Sequence, residues 1–336
     1  MIKKIFFLNI IILVLIILSL ELIARTFNLA DLMGISKNLI IFKNNQHFNS
    51  PNIEAVAFSK KVFTDELGFR IPNKKYKYNS ENTSVLVLGD SVGFGVGAKE
   101  EETFVGLMRK NSKNLNFYNS SVPGYHVIDY AHTIDENKDL KKLREVLYIY
   151  ILNDISFERT VFNNTTAEEI SKRKERVKFF NKLRENFYFK KINFFLRNKS
   201  VLYMWIKGII SKPSERHFYY MYPQYKDNDK ISDLKEAIKQ IKNKTKKNNF
   251  KLFVAILPYE FQTRKENCKD DFLLPQAIVK SIFIDLKIKF KDYTSFFCDN
   301  KKPSALFLKY DPVHLSSNGH QLVYDLLKKD LYYLEN

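Results

Sequence analysis

Five residues in four short blocks have the types and order that acyl-transfer chemistry needs. Ser91 lies in Gly-Asp-Ser, Gly124 in Val-Pro-Gly-Tyr, Asn153 in Leu-Asn-Asp, and Asp311 and His314 in Asp-Pro-Val-His. A serine hydroxyl becomes nucleophilic when an imidazole takes its proton and a carboxylate orients that imidazole. Backbone N–H and side-chain amide donors stabilise the oxyanion that forms when the hydroxyl attacks a carbonyl. These residue types therefore predict nucleophilic attack by Ser91 on an acyl group.

Spacing separates one histidine from its competitors. Asp311 lies three residues before His314, and on one helical turn both side chains point to one side. Asp311 can then hold the Nδ1–H of His314 while Nε2 faces outward. Neither His126 nor His320 has an aspartate three residues before it. We expect His320 at a helix start, and His126 either to pack in the core or to line the cleft.

The glycines are concentrated around Ser91. Only 10 of the 336 residues are glycine, less than half the usual share of about 7%, and Gly89, Gly93, Gly95 and Gly97 are four of them. Their spacing fits neither a P-loop nor a dinucleotide fingerprint. We interpret the segment as a tight turn that lifts Ser91 to the rim of a sheet, with the glycines leaving room for a substrate.

The elements that must position these blocks alternate in type. Short apolar runs alternate with helical segments after Ser84, which is typical of a parallel sheet covered on both faces. The predicted strands are Val85–Leu88, Leu115–Tyr118, Val146–Ile151, Leu252–Leu257 and Ile288–Tyr293, and the predicted helices are Phe104–Lys110, Val127–Leu140, Ile231–Lys246 and Gln276–Leu286. Ligands of such sheets bind beyond the carboxyl ends of the strands, and the first three blocks come directly after the first three strands.

The blocks in this order resemble the SGNH/GDSL hydrolase family. Gly-Asp-Ser with a further glycine four residues after the serine, a glycine after the second strand, Asn-Asp after the third and Asp-x-x-His near the end cover roughly residues 84–330. The resemblance implies a three-layer α/β/α fold with a mostly parallel five-stranded sheet, of the SGNH/flavodoxin-like kind. It implies Ser91, His314 and Asp311 as catalytic residues and Ser91, Gly124 and Asn153 as the oxyanion hole, with no cofactor and no metal.

One position departs from the family pattern. Ile151 stands two residues before Asn153, where the family commonly has a glycine. We expect the bulkier side chain to narrow the pocket, which affects the choice of substrate more than activity.

The N-terminus carries a long apolar run. The segment from Ile5 to Ile23 is long enough to cross a bilayer, exceeds the usual apolar core of a signal peptide, and is not followed by a small-x-small cleavage site. We therefore predict a cytoplasmic tail over 1–4 and a transmembrane anchor over 5–24. Lys3 and Lys4 predict that the chain after the anchor is exported to the periplasmic or extracellular side of a bacterial inner membrane. In an oxidising compartment Cys268 and Cys298 could pair, although two free buried thiols remain an equal alternative.

The remaining segments are assigned by composition. Residues 25–80 are predicted as a stalk and lead-in with a turn at Gly68, across which Asp65 and Arg70 could fix each other; the preferred alternative is a purely structural turn packed on the main domain. This Gly-Phe-Arg element also looks like the exported, membrane-tethered members of the family. Residues 81–336 form the predicted catalytic domain, with a basic, aromatic insertion at about 156–230 that begins with a capping box at 165–168. The insertion could lie on the membrane, form a lid, or cover one sheet face as a helical pair.

Charge and motifs limit the partners. The excess of 55 Lys and Arg over 37 Asp and Glu gives +18, but it is spread along the chain without a nucleic-acid motif, so we predict no nucleic-acid partner. We expect a membrane-anchored serine hydrolase that cleaves an ester of a surface glycan or a lipid. The alternatives are an O-acyltransferase to a polysaccharide and a catalytically silent glycan-binding protein of the same fold. The sequence leaves the oligomeric state open.

Overall fold

The core of the molecule is a sheet with five parallel strands. The structure, a computed structural model, describes residues 2–43, 46–156 and 187–331. The parallel strands are β6 (Thr83–Leu88), β7 (Leu115–Asn119), β8 (Leu143–Tyr150), β9 (Lys251–Ile256) and β10 (Lys289–Asp292). They lie side by side in the order β7-β6-β8-β9-β10. This is the doubly wound, flavodoxin-like order, so the predicted fold class is confirmed.

Helices cover both faces of the sheet. The covering helices are α3 (Phe104–Asn111), α4 (Val127–Asn137), α8 (Asn228–Lys247), α10 (Asp270–Asp285) and α12 (Ser317–Asp330). Helix α3 packs on α12 and α4 packs on α8, as right-handed crossovers to either side of β6 require. Strands β6, β7 and β8 are almost wholly buried, as expected of parallel strands covered by helices on both faces.

The lead-in segment extends this sheet. Strands β3 (Glu54–Ala57), β4 (Lys60–Thr64) and β5 (Arg70–Ile71) continue it in antiparallel pairing beyond β7, which makes eight strands in total. A separate two-stranded sheet precedes them, formed by β1 (Ile40–Lys43) and β2 (Gln46–Asn49). Much of the segment predicted as a stalk and lead-in is therefore part of the central sheet.

A buried arginine joins the lead-in to the loop after Ser91. The Arg70 side chain is 0% exposed. Its Nη1 donates to the carbonyls of Phe94 and Gly95 at 2.7 and 2.6 Å, and its Nη2 donates to that of Ala98 at 2.7 Å. Its Nε lies 3.0 Å from a carboxylate oxygen of Glu100. Since a buried charge is tolerated only when it is paired and hydrogen-bonded, these contacts fix the loop over 94–100.

The predicted Asp65–Arg70 pair is wrong. Asp65 Oδ1 instead accepts hydrogen bonds from the backbone N–H groups of Leu67 and Phe69, both at 2.9 Å, and closes the turn by itself. Arg70 instead pairs with Glu100, which also pairs with Arg109.

Arg109 completes the buried cluster. Its Nε and Nη2 donate to the carbonyl of Phe117 at 2.9 and 2.6 Å, and Nη2 also donates to the carbonyl of Arg70 at 2.9 Å. One carboxylate thus joins two guanidinium groups, and backbone carbonyls accept the remaining hydrogen bonds. The cluster ties β5, β7 and α3 to the loop after Ser91.

The C-terminal end of the N-terminal helix contacts the rest of the protein. Helix α1 (Ile2–Thr26) exposes nearly all of its apolar side chains, and residues 4–26 are long and apolar enough to cross a membrane. Near its end, Glu21 accepts hydrogen bonds from the N–H groups of Val201 and Leu202, both at 3.0 Å, and from Ser200 Oγ at 2.7 Å.

Three successive helices form the described part of the predicted insertion. They are α5 (Phe187–Lys199), α6 (Val201–Ser211) and α7 (Pro213–Met221). Glu21 of α1 satisfies the free N–H groups at the start of α6, in the manner of an N-terminal cap. The predicted capping box at 165–168 lies outside the described residues.

The two cysteines form a disulfide. Cys268 and Cys298 are bonded, with Cα atoms 6.1 Å apart. The alternative of two free thiols is therefore wrong. The bond joins the segment before α10 to the end of α11 (Thr294–Cys298), which comes after β10.

We predict that Arg70→Met lowers the free energy of unfolding by about 3–5 kcal/mol, because it leaves three loop carbonyls without their donor and removes one of the two guanidinium groups that pair with the buried Glu100 carboxylate. Urea unfolding of the full chain in detergent micelles, monitored by near-ultraviolet circular dichroism, measures this change. Lys61→Met is the control, since Lys61 pairs with Glu54 at the surface and its removal should leave the curve unchanged. An Arg70→Met curve that superimposes on the wild type contradicts the prediction.

Candidate active site

Ser91 lies at the carboxyl end of β6, the strand at which the sheet order reverses. It is the first residue of the short helix α2 (Ser91–Phe94), and the Asp90 carboxylate caps this helix by accepting a hydrogen bond from the Val92 N–H at 2.7 Å. The N–H of Ser91 is thus among the groups at the helix start that have no partner within the helix.

The glycines after Ser91 leave room for neighbouring protein atoms. The prediction that they leave room for a substrate is therefore wrong. A Cβ added at Gly93 would lie 2.5 Å from Ser121 Oγ. Gly95 has a φ of 82°, which L side chains rarely adopt, and an added Cβ would lie 2.9 Å from a guanidinium nitrogen of Arg70. The glycine cluster therefore permits the close packing that holds the turn.

Gly124 comes after β7 in a turn with a φ of 90°. Its N–H donates to no group in the part of the chain that the structure describes. The lead-in holds this block from outside, because Asn49 Nδ2 donates to the Ser121 carbonyl at 2.9 Å and His47 Nε2 lies 3.1 Å from the Pro123 carbonyl. These two contacts fix the turn and leave the Gly124 N–H available.

Asn153 comes after β8 and is held through three of its atoms. Its Nδ2 donates to Asp90 Oδ2 at 2.9 Å, which leaves the second amide N–H available. Its Oδ1 accepts from the Tyr259 hydroxyl at 3.3 Å, and its carbonyl oxygen lies 3.1 Å from Nδ1 of His126. His126 is 2% exposed and therefore positions Asn153 from within the core.

The next residue anchors the loop that carries Asn153. Asp154 is fully buried, and its carboxylate accepts from the hydroxyls of Tyr148 and Tyr130 at 2.8 and 3.1 Å. Burial raises the pKa of Asp154 well above its usual range, and the nearby Asp90 carboxylate raises it further. Ile151, expected to narrow the pocket, is 1% exposed and packs in the main core instead.

Asp311 and His314 form the predicted acid–imidazole pair. Asp311 Oδ2 lies 2.8 Å from Nδ1 of His314, while Oδ1 accepts from the N–H groups of Val313 and His314 at 2.9 and 2.7 Å. Asp311 is 3% exposed. Burial alone would raise the pKa of Asp311, but the His314 imidazole and these hydrogen bonds lower it below its usual value.

Charge controls the protonation of His314. Burial opposes the charged imidazole, but the Asp311 carboxylate outweighs this effect and raises the pKa of His314 above its ordinary value. The Asp90 carboxylate contributes in the same direction, so the residue next to Ser91 lies within electrostatic reach of the imidazole.

The hydrogen bond expected between Ser91 and His314, the predicted nucleophile and base, is not made in this conformation. Ser91 Oγ has its contact with Asp90 Oδ2, at 3.4 Å. Nε2 of His314 is buried and has no hydrogen-bond partner among the described residues. Such bonds often tighten only when substrate is bound.

The competing histidine is structural. His320 lies within α12, is fully buried, and accepts a hydrogen bond from the Phe104 N–H at 3.4 Å. Burial lowers the pKa of His320 to about 3, so it stays neutral at physiological pH.

Two residues near the pair are not marked in the sequence. Phe58 lies in the two-residue turn between β3 and β4, and its ring packs edge-on against His314 at 5.0 Å between centroids. His217 of α7 packs against the Tyr259 ring at 5.1 Å, and burial lowers its pKa to about 4, although Asp311 opposes this shift. No local pattern identifies either residue, because both reach the site from distant segments.

A cavity of about 1200 Å³ lies beside the pair. Leu29, Trp205, Gly208, Tyr310 and Asp311 are among its lining residues, whereas Ser91 and His314 are not. Residues 2–43, 46–156 and 187–331 contain no cluster of His, Cys, Asp or Glu that could hold a metal ion.

Comparison with known proteins finds similar folds at low identity. No protein-family model and no curated protein sequence matches the chain. Similar solved structures include an acetylxylan esterase from Geobacillus stearothermophilus (14% identity, 75% of this chain and 96% of that one, TM-score 0.42). They also include a lipase/acylhydrolase from Enterococcus faecalis (11%, 74% and 95%, 0.41) and a member of the lipolytic G-D-S-L family from Veillonella parvula (14%, 75% and 98%, 0.40). In strand order and in the position of its blocks, this chain resembles the SGNH/GDSL hydrolases.

We predict that His314 titrates above its ordinary pKa of 6.5, whereas His217 titrates at about 4 and His320 at about 3. Asp311→Asn should lower the pKa of His314, because burial then acts without the opposing carboxylate. NMR of histidine-labelled protein across pH, with assignments from single His→Gln variants, measures each value. A His314 pKa that does not move in Asp311→Asn is the contrary result.

Proposed function

We propose that the protein is a serine esterase that cleaves an O-acyl group from a surface glycan or a lipid. The observation that carries the proposal is the Asp311–His314 pair, in which Nε2 of His314 is buried and lacks a hydrogen-bond partner among the described residues. The pair lies within electrostatic reach of Asp90, which precedes Ser91 and binds Asn153.

In the first half of the reaction, Ser91 Oγ attacks the carbonyl carbon of the ester. Its proton passes to Nε2 of His314, and Asp311 stabilises the imidazolium through Nδ1. Because Asp311 raises the pKa of His314, the imidazole accepts this proton more readily. The imidazolium then gives its proton to the leaving alcohol as the carbon–oxygen bond breaks, which leaves an acyl group on Ser91.

The oxyanion is stabilised by three donors in this proposal. They are the N–H groups of Ser91 and Gly124 and the second amide N–H of Asn153. Asp90, Tyr259 and His126 hold Asn153 in place, so little reorganisation is needed when charge develops. Water, or an acceptor hydroxyl in the transferase alternative, then attacks the acyl group with His314 as the base.

We further propose that α1 is an uncleaved anchor over residues 5–24 and that the exported catalytic domain comprises residues 81–336 together with the lead-in strands β3, β4 and β5, which extend its sheet. Two observations support retention of the helix after export. The end of α1 is built into the fold, with Ala24 fully buried and Glu21 capping α6. The Cys268–Cys298 disulfide fits an oxidising compartment.

A serine-directed fluorophosphonate probe should label the full chain, and Ser91→Ala should abolish labelling. The probe reports an activated serine and needs no knowledge of the natural ester. Ser59→Ala is the matched control, because Ser59 is exposed in the turn that also carries Phe58. Absence of labelling in folded wild-type protein would falsify the esterase proposal and favour a catalytically silent binding protein.

Asn153→Ala should lower kcat for aryl esters by about 10²–10³ with little change in KM, because the amide acts on charge that develops in the transition state. Asn137→Ala, at the end of α4, should leave kcat unchanged. Rates for a series of acyl lengths give the acyl preference, and product analysis with a sugar acceptor separates hydrolysis from transfer. A large rise in KM at unchanged kcat in Asn153→Ala would exclude the oxyanion role of Asn153.

A further inference from the structure

We propose that α5 and α6 form a second membrane-contacting surface, which lies on the bilayer beside the α1 anchor. The inference rests on the proposed anchoring of α1 and goes beyond the esterase activity. The occupant of the surface is the lipid–water interface of an anionic bilayer.

The first observation is the position of the junction between α5 and α6 relative to the end of α1. Glu21 and Arg25 of α1 bind the junction between α5 and α6, where Arg25 donates to the Lys199 carbonyl and pairs with Glu21 at 2.8 Å. Since the apolar run of α1 ends at Ile23, this junction lies at the level where the anchor leaves the bilayer. Ala24 packs with Val201 in the same small core, which fixes the start of α6 to the anchor.

The second observation is the apolar face of α5. Tyr188, Ile192 and Phe195 recur at helical spacing on one side of the helix and are 73%, 56% and 61% exposed. Phe189 is exposed next to them. These exposed apolar side chains lie in register on one helix, which ends at the junction contacted by α1, and they form a surface that water solvates poorly.

The third observation is the matching face of α6. Ile206, Ile209 and Ile210 are all exposed, with Ile210 at 78%, while Val201 and Met204 face the core. At 11 residues, α6 is too short to cross a bilayer but long enough to lie along its surface.

The fourth observation is charge. Helices α5 and α6 contain five basic residues and no acidic residue. The basic residues are Lys190, Lys191, Arg197, Lys199 and Lys207. Basic helices with aromatic and aliphatic side chains on one face are typical of segments that lie in the interface of anionic membranes. A second protein copy would instead have to bring acidic groups to this surface.

The proposed orientation of α6 on the bilayer has a consequence for the candidate active site. A single residue, Lys212, separates α6 from α7, which carries His217 next to Tyr259. The cavity beside Asp311 is lined both by Leu29, just beyond the anchor, and by Trp205 of α6. If α6 lies on the bilayer, this cavity lies at the headgroup level, within reach of a membrane-borne ester.

The test places tryptophan at chosen points of the surface. Trp205 is the only tryptophan, so Trp205→Phe provides a silent background for Tyr188→Trp and Ile210→Trp. These positions lie about 18 Å and about 15 Å along α5 and α6 from their junction. Each full-length variant is reconstituted in phosphatidylcholine–phosphatidylglycerol vesicles with acyl chains brominated near the headgroup, which quench nearby tryptophan.

We expect both variants to lose a fraction of their emission comparable with that lost by Trp205 in the wild type. Ile284→Trp in the same background is the matched control and should lose none, since Ile284 is 65% exposed on α10. Lys190→Glu combined with Tyr188→Trp should reduce quenching, and more so in vesicles richer in phosphatidylglycerol. Equal unfolding midpoints in urea show that the variants are folded.

Leu13→Trp in the same background tests the anchor separately. If this variant is quenched by deeply brominated lipids while Tyr188→Trp and Ile210→Trp behave like Ile284→Trp, the surface proposal is overturned and the anchor stands. If Leu13→Trp is not quenched, both are overturned, and fluorophosphonate labelling still reports on the esterase alone. Quenching at 188 and 210 that is lost as the protein-to-lipid ratio rises would identify a second copy as the occupant and also overturn the proposal.

Discussion

The buried guanidinium of Arg70 is the constraint on which the candidate site depends. It satisfies three carbonyls of the loop after Ser91 and is itself neutralised by Glu100, at the end of that loop. A glycine-rich turn has high conformational entropy, and fixing it requires strong local contacts. Arg70 supplies them from the edge of the sheet, so the position of Ser91 depends on a strand outside the parallel core.

The lead-in acts as a second layer of support around the site. Asn49 holds the turn that carries Gly124, and Phe58 packs against the His314 ring. A parallel sheet brings the first three blocks to one edge, but the loops beyond its strand ends have few neighbours of their own. The antiparallel extension provides those neighbours and makes the lead-in part of the functional unit.

The features that could be predicted from the sequence are local in the chain. Strand ends, the Gly-Asp-Ser turn and the three-residue spacing of Asp311 and His314 are visible within a few residues. The wrong Asp65–Arg70 pair has the same origin, because local spacing favours Asp65 over the distant Glu100. The glycines near Ser91 are visible too, but their neighbours, such as Ser121, come from another loop. Phe58 and His217 give no signal, since only the tertiary fold brings them to the imidazole.

Long-range contacts also connect the N-terminal helix to the candidate site. Glu21 fixes the start of α6, and a single residue with left-handed backbone, Lys212, passes the chain directly into α7. With so short a connection, α7 has little freedom to move independently of α6. His217 of α7 packs against the Tyr259 ring, and the Tyr259 hydroxyl donates to Asn153 Oδ1. The insertion thus connects the end of the N-terminal helix, through packed side chains, to Asn153, the proposed oxyanion donor.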